Sequence, residues 1–155
     1  MKFALYQGSS FVGGLIRKFT RSRYSHVALK FSDGIVFEAV GDGFKRSSSL
    51  GARHEKGTVI DIFEYATPMD RTEEAKARLF CETIENAPYD YGSVLVHFPL
   101  REAGDSDRSK WFCSEAALAA SIAIGRPLQI MAPWRCQPDH IAISPLLKWK
   151  ESVVI

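Results

Sequence analysis

The chain has 155 residues, 46% of them hydrophobic and 25% charged, with a net charge of +2. These values describe one ordinary globular domain, residues 1–155, long enough to bury a core without covalent staples. They exclude a membrane-spanning helix, since no apolar run approaches the roughly 18 residues required, and near-neutral charge without a recognised motif argues against nucleic-acid binding.

Met1 to Gln7 is too short for the apolar region of a signal peptide and reads as a first strand. With three cysteines, Cys81, Cys113 and Cys136, and no Cys-x-x-Cys pair, free thiols in a reducing, cytoplasmic setting are expected. The four histidines, His26, His54, His97 and His140, are scattered. No two of these histidines show helical i, i+4 spacing, so no metal or other cofactor is expected.

Gly8 to Gly14 is a glycine-serine turn. Phe11, Leu15, Ile16 and Phe19 then fit a short amphipathic helix with Arg17, Lys18 and Arg21 outward. Six basic residues, Lys2, Arg17, Lys18, Arg21, Arg23 and Lys30, precede the first acid, Asp33. That positive lobe suits an anionic surface or substrate, and equally a merely solvated helix face.

Ser25 to Phe31 alternates, with Val27, Leu29 and Phe31 on one face and His26, Ala28 and Lys30 on the other. Ser32-Asp33-Gly34 signals a hairpin, and Ile35 to Val40 resumes as a strand with Glu38 inside an apolar run. Gly41-Asp42-Gly43 is a second turn and Lys45 to Lys56 reads as polar loop. Thr58 to Phe63 is a third internal strand. Asp70 or Thr72 caps a helix running to about Asn86, with Cys81 on its apolar side. Pro88 to Gly92 breaks the chain, Ser93 to Phe98 fits helix or strand, and Arg101 to Lys110 is a charged loop. Cys113 to Ile124 is a helix stopped by Gly125 and Pro127. The tail, with Pro133, Pro138 and Pro145, reads as irregular, ending in a short strand from Ser152 to Ile155. Strands and helices without βαβ alternation indicate an α+β fold.

Cys113 opens its helix. There, unpaired N–H groups and the positive end of the dipole lower a thiol's pKa and offer an oxyanion site, with the Cys113 amide the first candidate. On periodicity alone, the more usual place for such a cysteine is the core, as a buried thiol. Cys81 lies mid-helix and Cys136 in a Pro-flanked stretch, and neither has such help. His26, at the start of a strand, is the candidate base. His97, in an apolar run, is the rival, while His54 and His140 lie in loops and are weaker. Glu38, on the strand after that of His26, is the best group to orient the imidazole if the hairpin register allows it. An edge-strand charge is the alternative for Glu38.

Ser25-His26-Val27-Ala28-Leu29, Phe37-Glu38-Ala39, Pro88-Tyr89-Asp90-Tyr91, Phe112-Cys113-Ser114-Glu115 and Pro138-Asp139-His140-Ile141-Ala142 with Ser144-Pro145 follow one another in that order. Together they resemble the circularly permuted NlpC/P60 group of papain-fold proteins, in its YiiX-like branch, from about Leu15 to Pro145. The resemblance implies a papain-like α+β core in which an antiparallel sheet packs against the helix carrying the cysteine. It further implies a thiol hydrolase of the peptidase or amidase type, with Cys113 as nucleophile, His26 as base and Glu38 as polar orienter. Tyr24, Tyr89 and Asp90 are the expected substrate-binding residues. A lipid-directed acyltransferase or esterase on the same site is the alternative, as is a non-catalytic module binding anionic lipid or peptide through Arg17, Lys18 and Arg21.

Overall fold

The structure, a computed structural model, describes residues 1–8, 22–92 and 109–155. The expected helix around Phe11 to Phe19 with Arg17, Lys18 and Arg21, the Ser93 to Phe98 segment, His97 and nearly all of the Arg101 to Lys110 loop lie outside the described residues.

The described elements run β1 (Lys2–Tyr6), β2 (His26–Lys30), β3 (Val36–Val40), β4 (Gly43–Ser47), β5 (Val59–Tyr65), α1 (Arg71–Thr83), α2 (Cys113–Ala123), a 3-10 turn (Pro133–Arg135), α3 (Pro138–Ala142) and β6 (Leu147–Val154). The six strands form one sheet in the order β4-β3-β2-β1-β5-β6, and every pairing is antiparallel. The fold is thus α+β, with the cysteine helix packed against an antiparallel sheet.

Alternation along the strands divides the interior into two cores. Phe3, Leu5, Val27, Leu29, Phe37, Ala39 and Phe44 face the helices, where Ala77 and Cys81 of α1 and Ala116, Ala117, Leu118 and Ala120 of α2 pack with them. Ala4, Tyr6, Ala28, Val36, Ile60 and Ile62 face the other way and are covered by Leu50, Val153 and Ile155. Eight of the 11 residues of α2 are buried, so this helix is central rather than amphipathic, and its alanines let it lie close to β2 and β3.

Helix ends follow local chemistry. Asp70 caps α1 through a reciprocal pair of bonds: the Glu73 N–H donates to Asp70 Oδ1 at 2.7 Å, and the Asp70 N–H donates to Glu73 Oε2 at 3.0 Å. The helix stops at Thr83, three residues short of the expected end. α2 ends where Gly125 takes φ of 78° and the Arg126 N–H bonds back to the Ser121 carbonyl.

Two stretches differ from expectation. The polar stretch beginning at Lys45 contains most of β4, and the tail holds α3 and the eight-residue β6 in place of a short terminal strand. Both strands are sheet edges. Edge strands carry charges that discourage pairing with other chains, here Lys45 and Arg46 on β4 and Lys148, Lys150 and Glu151 on β6, so their pattern imitates loop. Among the described residues, no helix is long and apolar enough to cross a membrane.

Candidate active site

Strand β2 begins with His26, directly across from Tyr6 of β1. On its other side Ala28 pairs with Glu38 of β3. His26 and Glu38 therefore share a face of the sheet and sit two positions apart along it, within reach of long side chains. His26 Nε2 lies 2.9 Å from Glu38 Oε2. The ring is half-buried and the carboxylate is fully buried.

The sulfur approaches from the opposite side of the sheet. Cys113 is the first residue of α2 and belongs to the helix-side core. Its approach is fixed by Tyr89 and Trp111, which form an isolated parallel bridge. The Asp90 N–H donates to the Trp111 carbonyl at 3.2 Å and the Trp111 N–H to the Pro88 carbonyl at 3.0 Å. The same stretch is held to β4, where the Phe44 N–H donates to the Ala87 carbonyl and the Asn86 N–H to the Phe44 carbonyl, both at 2.8 Å. The Cys113 thiol meets the His26 ring in a hydrogen bond. Because Nε2 of His26 is taken by Glu38, Nδ1 is the nitrogen that faces sulfur.

Electrostatics organise this trio. Burial alone would push the Glu38 carboxyl up, but hydrogen bonds from His26 and His54 hold it down at about 2. An ionised carboxylate only accepts, so each facing Nε2 carries the proton. That fixes the His26 tautomer and leaves Nδ1 as the basic atom of the neutral ring. Burial would also push His26 down, yet the Cys113 sulfur and Glu38 raise it to about 10. Cys113 shows the complementary shift. Burial pushes its thiol up, while the His26 charge and hydrogen bond, then the Val27 and Ser114 N–H groups, bring it below the ordinary thiol value. The arrangement favours a thiolate–imidazolium pair. The other two cysteines are also free and buried. Burial raises both thiols well above the ordinary range, so neither matches Cys113 as a nucleophile.

Sequence reasoning underrated His54. The loop after β4 carries it back over the sheet, so that its Nε2 lies 2.7 Å from the same Glu38 Oε2. Its ring stands 4.1 Å from the Tyr6 ring, centre to centre, and 5.1 Å from that of His26. Tyr6 is fixed in turn by donating its hydroxyl to the Leu50 carbonyl at 3.0 Å. The other Glu38 oxygen accepts from Ser47 Oγ at 3.2 Å, and Ser47 Oγ accepts from Arg53 Nε at 3.2 Å. His26, Glu38 and His54 each offer one ligand atom within 4.8 Å of the others. This is a metal-type grouping that linear spacing hides.

The candidate substrate-binding residues fall in two places. Tyr89 lies close to the thiol, since burial and then the Cys113 charge raise its hydroxyl well above its usual value, while its neighbour Asp90 is buried and is held by its N–H to the Trp111 carbonyl. Tyr24 is also buried, but its hydroxyl is committed to Asp61 Oδ2 at 2.7 Å. Asp61 also accepts from Gln7 Nε2 at 2.9 Å and from Ser152 Oγ. Its geometry thus ties β5 to the segment leading into β2.

One further group went unsingled in the sequence. Glu115, in the first turn of α2, is buried and takes the Phe112 N–H, while its Oε2 has no partner among the described residues. Burial and then the Asp90 charge push its carboxyl up to about 7.

No protein-family model matches the chain. It is 26% identical to the probable lipoprotein peptidase YaeF of Escherichia coli K12, across 87% of this chain, and spans 60% of that relative's length. In structure it is similar to the metalloprotein YiiX of Escherichia coli O157:H7, with a TM-score of 0.72 and 17% identity over 97% of this chain and 94% of that one. The chain thus shares its fold with YiiX and a distant sequence likeness with a protein named as a peptidase.

Proposed function

We propose that this protein is a cysteine hydrolase of the peptidase or amidase type, built on a papain-like core of the permuted NlpC/P60 kind. The observation that carries the reading is the Cys113 thiol bonded to a His26 ring whose far nitrogen donates to a buried, ionised Glu38. The peptidase name of the distant relative points the same way.

In this reading the Cys113 thiolate attacks a carbonyl carbon, and the oxyanion forms against N–H groups at the start of α2, with the Cys113 amide first in line. His26 gives its Nδ1 proton to the departing amine or alcohol, leaving a thioester on Cys113. The neutral ring then takes a proton from water, whose oxygen attacks the thioester, and the acid departs as the thiolate returns. Glu38 is a positioning residue that holds the ring and balances its charge. Tyr89 and Asp90 contribute one wall of the cleft. Three free thiols suit a reducing compartment, with the cytoplasm the proposed location.

The test is to trap and weigh the thioacyl adduct. An activated ester or amide should leave an acyl group on Cys113, absent from Cys113→Ala, and its mass distinguishes peptide from lipid acyl donors. Acylation unchanged in Cys113→Ala would refute the reading.

A further inference from the structure

We propose that His26, Glu38 and His54 form a site for a divalent transition ion of the zinc class, and that occupancy of this site arrests the acid–base work of His26. The second half rests on the thiol reading above, while the first stands on the ligand geometry alone.

Two imidazoles and a carboxylate are a donor set that suits zinc, with room for a water or another group at the fourth position. The two Nε2 atoms converge on a single oxygen, Glu38 Oε2, from 2.9 and 2.7 Å. A tetrahedral ion with bonds of about 2.0–2.1 Å separates its ligands by about 3.3 Å. Both hydrogen-bonded pairs therefore need to open by only about half an ångström for an ion to replace the two protons between them. The side chains of His26 and His54 keep 13% and 16% exposure, so solvent reaches the site from the histidine side.

The surrounding shell is already built. Ser47 donates to the Glu38 oxygen that faces away from the histidines, and Arg53 supports Ser47. The Tyr6 ring contacts both imidazoles, tilted against His54 at 4.1 Å and edge-on to His26 at 5.0 Å between ring centres. Such outer contacts orient ligands before an ion arrives.

The consequence for the thiol follows from proton bookkeeping. Coordination through Nε2 uses that nitrogen's lone pair, so the proton it donates to Glu38 leaves for solvent. The His26 ring keeps its other proton on Nδ1, facing Cys113, and has no lone pair left to take one from water. With an activated ester, whose leaving group departs as an anion and needs no proton, the metal-loaded molecule forms the thioester while Nδ1 keeps its proton, and it then has no base to hydrolyse that thioester. An ion at this position is thus an inhibitor of turnover rather than its cofactor.

The experiment is a Co²⁺ titration of chelator-treated protein, read by visible absorption and by ion count, on wild type, His54→Gln and Cys113→Ala. Native folding of each is checked by its thermal melt. We expect one Co²⁺ per chain with ligand-field bands, binding at least tenfold weaker in His54→Gln, and an unchanged spectrum in Cys113→Ala. In a parallel assay one equivalent of Zn²⁺ should stop the turnover of an activated ester after a single acylation. No ion taken up by folded wild type would overturn the site, as would a thiolate charge-transfer band that vanishes in Cys113→Ala. Steady turnover with the ion bound would overturn the inhibition. Failure of metal-free Cys113 to acylate would sink the thiol reading instead and leave the metal site standing.

Discussion

His26 reaches Glu38 along a diagonal of the β2–β3 ladder rather than straight across it, because Ala28 is the residue opposite Glu38. A small side chain in the directly opposed position leaves room for the carboxylate to lean towards the end of the strand. Replacing Glu38 with Gln keeps the shape but removes the charge that fixes the His26 tautomer. Turnover of an activated ester should fall by about 10²–10⁴-fold. Steady-state rates at neutral pH, compared between wild type and variant, check this.

The same carboxylate couples folding to pH. Its pKa is about 2 against an ordinary 4.5, so its stabilisation is complete above about 4.5 and is lost as pH falls through about 2. The shift corresponds to roughly 3 kcal/mol. His26, raised from 6.5 to about 10, contributes stability that is full below about 6.5 and lost as pH rises through about 10. Denaturant titrations from pH 2 to 5 should show stability climbing in wild type and a flatter slope in Glu38→Gln.

Glu115 carries the opposite sign. A carboxyl raised from 4.5 to about 7 is comfortable while protonated, and its penalty grows from about pH 4.5 to completion above about 7. Glu115→Gln should stabilise the protein at pH 8 by about 1–3 kcal/mol and leave it little changed at pH 4. Thermal melts at the two pH values provide the comparison.

Gly43 is fixed by its neighbours as well as by its backbone. It has φ of 113°, and a Cβ there would sit 2.5 Å from the Ala87 carbonyl oxygen. Gly43→Ala should cost about 1–3 kcal/mol. It should also slow acylation, since the 86–90 stretch it displaces positions Tyr89 and the approach to Cys113. A paired measurement of melting temperature and acylation rate tests both effects.

Much of this arrangement was legible residue by residue. Alternation of Val27, Leu29 and Phe31 against His26 and Ala28 fixed which face each side chain takes, and the Asp33-Gly34 turn brought Glu38 to the neighbouring strand. Gly125 marked the end of α2. The edge strands were hidden because β4 and β6 wear the charges of a loop. His54 was hidden for a different reason. Its place depends on a loop folding back to the Tyr6 ring, a contact between residues 48 positions apart that no local period records. Glu115 looked like an ordinary first-turn helix acid, and only burial distinguishes it.

The central claim is that folding alone makes one thiol of three a nucleophile. The most direct measurement is the pH dependence of iodoacetamide labelling, resolved by peptide mass spectrometry at Cys81, Cys113 and Cys136 in native protein. The account predicts that Cys113 is alkylated at pH 6 at least tenfold faster than either other cysteine, and that His26→Gln abolishes that advantage. Equal, slow labelling of all three at pH 6, with Cys113 rising only near pH 9, would contradict it.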